Sequence, residues 1–163
     1  MSVLCNRESF QPADLRSPVS LHDRYATDIR REGDDLVFVF PDGFDLIDWS
    51  EKAATRTGPA EMRLRRGQAL EIELFRRVKR RGSRSGLCRE RELKLPELID
   101  MLHSSATIEF LFEWHASGSV LWQCCLYRGE NRQRTDAYIG MLELSFSHEG
   151  IEFTWNEMIK SQN

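Results

Sequence analysis

Glu109, Glu113 and His115, in the segment TIEFLFEWHA at 107–116, come nearest to residues whose types and spacing could do chemistry. On an extended strand, residues of like parity share a face, so the three side chains are expected together. Gln123 and Tyr127 of the next strand join them if the loop at Ser117-Gly118-Ser119 has three residues; a two-residue loop would exchange the faces of that strand. Two carboxylates four residues apart stand about 13 Å from each other at ~3.3 Å per residue. That is too far for paired acid/base work of the glycosidase kind, which needs roughly 5 to 9.5 Å. Glu113 and His115, about 7 Å apart along the backbone, lack a third ligand at any regular spacing. The expectation is a solvated strand face with no catalytic residue, no metal ligand set and no cofactor.

Other chemistry-bearing residues point the same way. His22 and Asp23 are adjacent, and neighbours on an extended chain point apart, so Asp23 is expected in a turn or cap and not in a catalytic pair. Cys5, Cys88, Cys124 and Cys125 form no CxxC and no ligand spacing, which argues against a zinc site and a secreted disulfide framework and suits a reducing cytosol. Cys124 is expected as a small apolar filler, with Cys125 on the opposite side of its strand. No serine stands in a GxSxG setting, and there is no Walker A or GxGxxG sequence.

Charge is uneven along the chain. Residues 61–91 hold eleven basic against four acidic residues, whereas 92–163 hold five against eleven, within a net charge of −3. The basic excess centres on RRVKRRGSRSGLCRER at 76–91, where Arg76, Arg77, Lys79, Arg80, Arg81 and Arg84 are candidate anion-binding residues. A mobile loop of this kind contacts phosphates in a salt-sensitive, sequence-blind way. It lacks the aromatic platform of single-strand binders, and nucleic acid is the less favoured partner.

These residues are positioned by a chain that reads as strands. LHDRYATDIRREGDDLVFVFPDGFDLI at 21–47 carries apolar-rich runs at Tyr25–Ile29, Leu36–Phe40 and Phe44–Ile47, separated by Glu32-Gly33-Asp34 and Pro41-Asp42-Gly43, the residue types that tight strand connections require. Trp49–Pro59 reads as a connection, followed by strands at Ala60–Arg65 and Ala69–Phe75, the latter with Leu70, Ile72 and Leu74 inward and Glu71 and Glu73 outward. Pro96 opens a short helix near 96–103 with a Leu98/Ile99/Leu102 stripe. Strands at Thr107–His115, Val120–Arg128, Asp136–Phe146 and Ile151–Trp155 complete the list, with Ile108, Phe110, Phe112 and Trp114 facing Trp122, Cys124 and Leu126 in the core. The expected fold is mainly β, α+β at the margin. It is an antiparallel meander of about eight or nine strands, closed as a sandwich or a partly open barrel. One domain over 1–163 is expected, with 1–20 an N-terminal arm or extended segment. No export signal or membrane span is evident, so a cytoplasmic protein is expected.

LHD, T-D-I and G-D-D-L-V-F-V-F-P-D-G-F at His22–Phe44, then E-F-L-F-E-W and a final strand ending Thr154-Trp155-Asn156, resemble a group of small uncharacterised bacterial cytosolic β-rich proteins, some of immunity-protein type. The resemblance implies a non-enzymatic protein-binding domain whose partner is unknown. An immunity-type protein opposing a basic nuclease would use acidic strand residues, and Glu109, Glu113, His115, Glu143 and Glu152 are the candidate partner-binding face. The runner-up is a small-molecule-binding, calycin-like β-barrel lined by aromatics such as Phe110, Trp114, Trp122, Phe146, Phe153 and Trp155. The third reading is a polyanion or nucleic-acid contact through 76–91.

Overall fold

The computed structural model describes residues 6–10, 17–78, 86–129 and 137–157. Within them the chain is mainly β, with fourteen strands and one short helix. In chain order the strands are β1 Asn6–Phe10, β2 Val19–Ser20, β3 Arg24–Ala26, β4 Asp28–Glu32, β5 Asp35–Phe40, β6 Asp45–Asp48, β7 Ala53–Arg56, β8 Ala60–Leu64, β9 Gln68–Val78 and β10 Gly86–Glu92. The helix α1, Leu95–His103, follows, and then β11 Ala106–Ala116, β12 Ser119–Arg128, β13 Tyr138–Ser147 and β14 Ile151–Trp155. All pairings are antiparallel.

Two large sheets form a sandwich. One has the order β1-β14-β8-β5-β4, the other β10-β9-β13-β12-β11-β3, and a small third sheet has the order β2-β6-β7. None closes into a barrel. The count exceeds eight or nine partly because Tyr25–Ile29 is two strands: at Thr27 the chain passes from one large sheet to the other, its N–H donating to the Val39 carbonyl at 3.0 Å. The 49–59 connection also holds its own hairpin, since β7 pairs back on β6. β7 has no apolar alternation to announce it, and is exposed along most of its length.

The core lies where the two large sheets face each other. Phe38 of β5 packs against Phe110, Trp122 and Phe146 of the opposite sheet at ring-centroid distances of 6.4, 5.5 and 5.7 Å, separations typical of edge-on aromatic packing. Phe44 does the same between Phe40 and Phe153, at 5.8 and 5.4 Å. The interior aromatics thus fill the core against one another; Trp114 alone of those expected around a pocket is outside, 52% exposed. Helix α1 buries Leu98 and Leu102 and has no side-chain cap at Lys94, so packing of that stripe must stabilise a helix of this length. No helix among the described residues is long and apolar enough to cross a membrane.

Two β-bulges decide which residues reach the surface. In β11 the ladder to β12 skips one residue between Phe110 and Phe112, so Phe110 pairs Cys124 while Phe112 pairs Gln123. The extra residue, Leu111, leaves Ile108 and Phe110 inward and turns Phe112 and Trp114 outward. The turn is the two-residue one: Ala116 pairs Ser119, with Gly118 at φ 74°. The expectation of Phe112 and Trp114 in the core is therefore corrected, whereas Trp122, Cys124 and Leu126 are buried as expected. A second bulge, in β9, lies between the Glu71–Ser145 and Ala69–Phe146 pairs. It expels Leu70, expected inside and found 58% exposed.

Candidate functional site

Three cross-strand rows in the middle of the outer face of the six-stranded sheet carry the candidate residues. Trp114, Leu121, Ser145 and Glu71 form the first, one row in from Ala116, Ser119, Ser147 and Gln68 at the β11–β12 turn; Phe112, Gln123, Glu143 and Glu73 form the next; Glu109, Cys125, Met141 and Phe75 form the third. Phe112, Trp114 and Leu121 are 54%, 52% and 37% exposed. Phe112 and Trp114 lie 6.1 Å apart between ring centroids, and His22 adds a third ring 6.0 Å from Phe112. The β11 end of this face is thus apolar and aromatic, and the β13–β9 side is acidic.

The five acidic and histidine candidates are divided by the fold. Glu109 belongs to the third row, where it accepts hydrogen bonds from Tyr25 Oη at 2.6 Å and Tyr127 Oη at 2.8 Å. Burial and the hydrogen bond to Glu109 raise the Tyr127 phenol well above its ordinary pKa, so it stays a donor. Glu113 and His115 pair with Trp122 and Val120 on the opposite side of the sheet, because the Leu111 bulge reverses their parity relative to Glu109. They contact each other, His115 Nε2 to Glu113 Oε2 at 3.3 Å. Glu143 lies in the middle row of the outer face, and Glu152 is on β14 in the other large sheet. Glu109 and Glu113 consequently do not converge on one substrate position.

Near His115 lies His148, in the turn between β13 and β14 and only 5% exposed. Its ring nitrogens have no well-formed hydrogen bond. Burial and the neighbouring His115 hold its pKa below the ordinary value, a pull that the main chain of Ser119 only partly offsets. Among the described residues, no group of three or more His, Cys, Asp or Glu is placed to hold a metal ion.

The remaining candidates are accounted for residue by residue. His22 and Asp23, expected to point apart, approach to 3.6 Å, because Asp23 sits in a turn at φ 56° and the chain is not extended there. The His22 ring also contacts the Leu111 carbonyl at the bulge. Cys124 is buried and Cys125 half-buried, and burial raises both thiols, which suppresses thiolate chemistry. The two ends of the basic segment are strand and not loop: Arg76 and Arg77 lie in β9, which pairs β10. Arg76 is exposed, whereas Lys79, Arg80, Arg81 and Arg84 lie outside the described residues. A cleft of about 290 Å³ opens beside the β9 bulge, between Leu70, Glu71, Arg31 and the Leu93–Pro96 approach to α1.

No protein-family model matches this chain, and no curated protein or solved structure matches it. The site is therefore argued from its own geometry.

The outer face of the other large sheet provides the reference. Arg30 donates to Glu32 at 2.7 Å and to Glu61 at 2.6 Å, Arg63 bonds Glu32 and reaches Asp35 at 3.1 Å, and Arg65 reaches Glu152 at 2.8 Å. The Arg30 hydrogen bond foremost, and Arg63 after it, hold the Glu32 carboxyl below its usual range. The Arg66 main-chain N–H, with Arg63 and Arg65, does the same for Asp35 against an opposing effect of burial. Glu152, a candidate for partner binding, is thus engaged within its own sheet. Phe112 and Trp114 were missed by periodicity because each continues the alternating run of Ile108 and Phe110. The signal for these two lies in the Phe110-Leu111-Phe112 triplet, which admits a one-residue shift, followed by a Ser-Gly pair that closes a two-residue turn.

Proposed function

We propose that this chain is a non-enzymatic protein-binding domain of the bacterial cytosol, of immunity-protein type, whose docking surface is the outer face of the six-stranded sheet around Phe112, Trp114 and Leu121. The observation that supports it is the exposure of these three large apolar side chains side by side on adjacent strands, at 37–54%. Scattered apolar residues are ordinary on a surface; a contiguous aromatic row on rigid strands is the composition of an interface centre, where a few aromatic residues supply most of the binding energy. Rigidity also lowers the ordering cost of docking, since the row is set by a sheet and not by a loop.

The test is affinity capture from the host's nuclease-treated lysate with the full chain and with a Phe112→Ser/Trp114→Ser variant. A protein retained in stoichiometric amount by the native chain and lost from the variant, with the variant's circular dichroism unchanged, is the expected outcome. Equal retention by both chains overturns this surface assignment.

A further inference from the structure

Given that docking surface, we infer that its occupant enters as a strand: an extended segment of a second protein, with aromatic or aliphatic side chains at alternate positions, that adds to the six-stranded sheet along the open half of β11. Three observations carry this. First, the two sides of β11 are covered unequally. β12 pairs with it from Ala106 to Ala116, whereas β3 pairs only with Ile108, Glu109 and Phe110. Among the described residues no strand continues the β3 ladder over 112–116, and an uncovered strand edge is a template for pairing with another chain. The Leu111 bulge marks where β3 stops: Asp23 donates its N–H to the Phe110 carbonyl at 2.8 Å and turns away at φ 56°, which leaves the His22 ring on the Leu111 carbonyl. Second, the main chain faces the open side. A two-residue turn closes on a hydrogen-bonded pair, here Ala116 and Ser119, and such pairs alternate along an antiparallel ladder. Trp114 with Leu121 and Phe112 with Gln123 are therefore hydrogen-bonded pairs, and the N–H and C=O of Glu113 between them point away from β12. Third, Phe112 and Trp114 flank Glu113 on the outer face, half exposed, with Leu121 directly opposite Trp114. Aromatic neighbours of this kind stabilise a strand laid beside them.

Continuity with β3 selects the occupant. β3 is itself a three-residue strand on the same edge, and its Tyr25 sits opposite Glu109 and donates to it at 2.6 Å. The incoming strand takes the next places in that line, end to end with β3 and antiparallel to β11. Its outward residues pack beside Phe112 and Trp114, and its inward ones meet the rim where Glu113 and His115 contact each other at 3.3 Å. Main-chain hydrogen bonds then give affinity, and the alternate side chains give specificity. By contrast β4, at the edge of the other large sheet, is flanked by α1, whose His103 reaches Asp28 at 3.1 Å. Residues 112–116 hold no Lys or Pro of the kind that blunts an edge.

The experiment is selection of a phage-displayed library of random 16-residue peptides on the immobilised full chain. It is run in parallel on Glu113→Pro, Glu113→Ala and Phe112→Ser/Trp114→Ser, with circular dichroism and sedimentation of each chain alone. Proline at 113 removes an N–H that the β11–β12 ladder does not use. The native chain is expected to enrich peptides with apolar residues at every second position. Glu113→Ala keeps their binding, and Glu113→Pro lowers it about tenfold or more through the lost main-chain bonds. A proline scan of the leading peptide shows losses at alternate positions, and this readout decides the matter if Glu113→Pro does not fold. Native-like binding by a folded Glu113→Pro, or a scan with a period of three to four residues, overturns strand addition and leaves the docking surface standing. No enrichment, or enrichment unchanged in Phe112→Ser/Trp114→Ser, overturns the docking surface and the strand with it. A dimer of the native chain that a folded Glu113→Pro abolishes replaces the second protein with a second copy.

Discussion

The outer faces of the two large sheets meet water in opposite ways. On the five-stranded sheet, Arg30, Arg63 and Arg65 are interleaved with Glu32, Glu61, Asp35 and Glu152, each cation between anions of its own fold. On the six-stranded sheet, Glu143 and Glu73 are stacked like against like beside half-exposed Phe112 and Trp114. The first face satisfies its charges internally and presents an outsider with little net field. The second leaves the apolar area of Phe112, Trp114 and Leu121 in contact with water, and exposed aromatic area on a rigid element is what recognition uses. A surface rich in charge is thus the poorer candidate for binding, and the distinction rests on pairing and not on composition.

The comparison breaks most sharply at the aromatic row. Phe112→Ser with Trp114→Ser should weaken partner binding by about 100-fold or more, given that interface aromatics contribute 2 kcal/mol or more each. The same change should move thermal unfolding only slightly, because both side chains are already half outside. Titration calorimetry with the captured partner and a melting curve separate the two. Arg63→Ala should do the reverse. Removing the cation that joins Glu32 and Asp35 should cost about 1 kcal/mol, kept that low by solvent screening of a partly exposed group. Partner affinity should stay the same.

The two faces and the turn beneath the aromatic row also separate by pH. His148 has a folded-state pKa below its free value of 6.5. The unfolded chain therefore binds the proton first, and the stability held above about pH 6.5 declines as pH falls from there through the folded pKa. Denaturant unfolding between pH 7 and 5 should show that decline in the native chain and a flatter profile in His148→Phe. Glu32 and Asp35 are likewise lowered, so their contribution is present above about pH 4 and is lost only as pH falls through their depressed values.

Much of the scaffold is legible in the sequence, and the surface is not. The strand Ile151–Trp155 and the helix beside Pro96 are found where alternation, the His148-Glu149-Gly150 turn and proline place them. The antiparallel, mainly β class follows from Gly-Asp punctuation between short apolar runs. Bulges are another matter. Alternation reports parity along one strand, and a single extra residue at Leu111 or Leu70 resets that parity with no change in composition. Hence Leu70, Phe112 and Trp114 read as core and are outside, whereas Ile72, Leu74, Trp122 and Cys124 read as core and are buried. Polar strands such as β7 and β10 have too little apolar pattern to declare themselves, and are held by a neighbour's ladder.

The extra residue at Leu111 behaves as a dislocation does in a crystal: the lattice is regular on both sides, and the two sides are out of step by one. Dislocations glide. Moving this one two residues toward the turn would bring Phe112 opposite Trp122, swing Leu111 to the outside and make Glu113 the odd residue, with the turn and the base of the hairpin untouched. A lineage that must follow a changing partner could recut its contact surface by relocating a single defect, where an unbroken ladder would demand a new sequence along the whole strand.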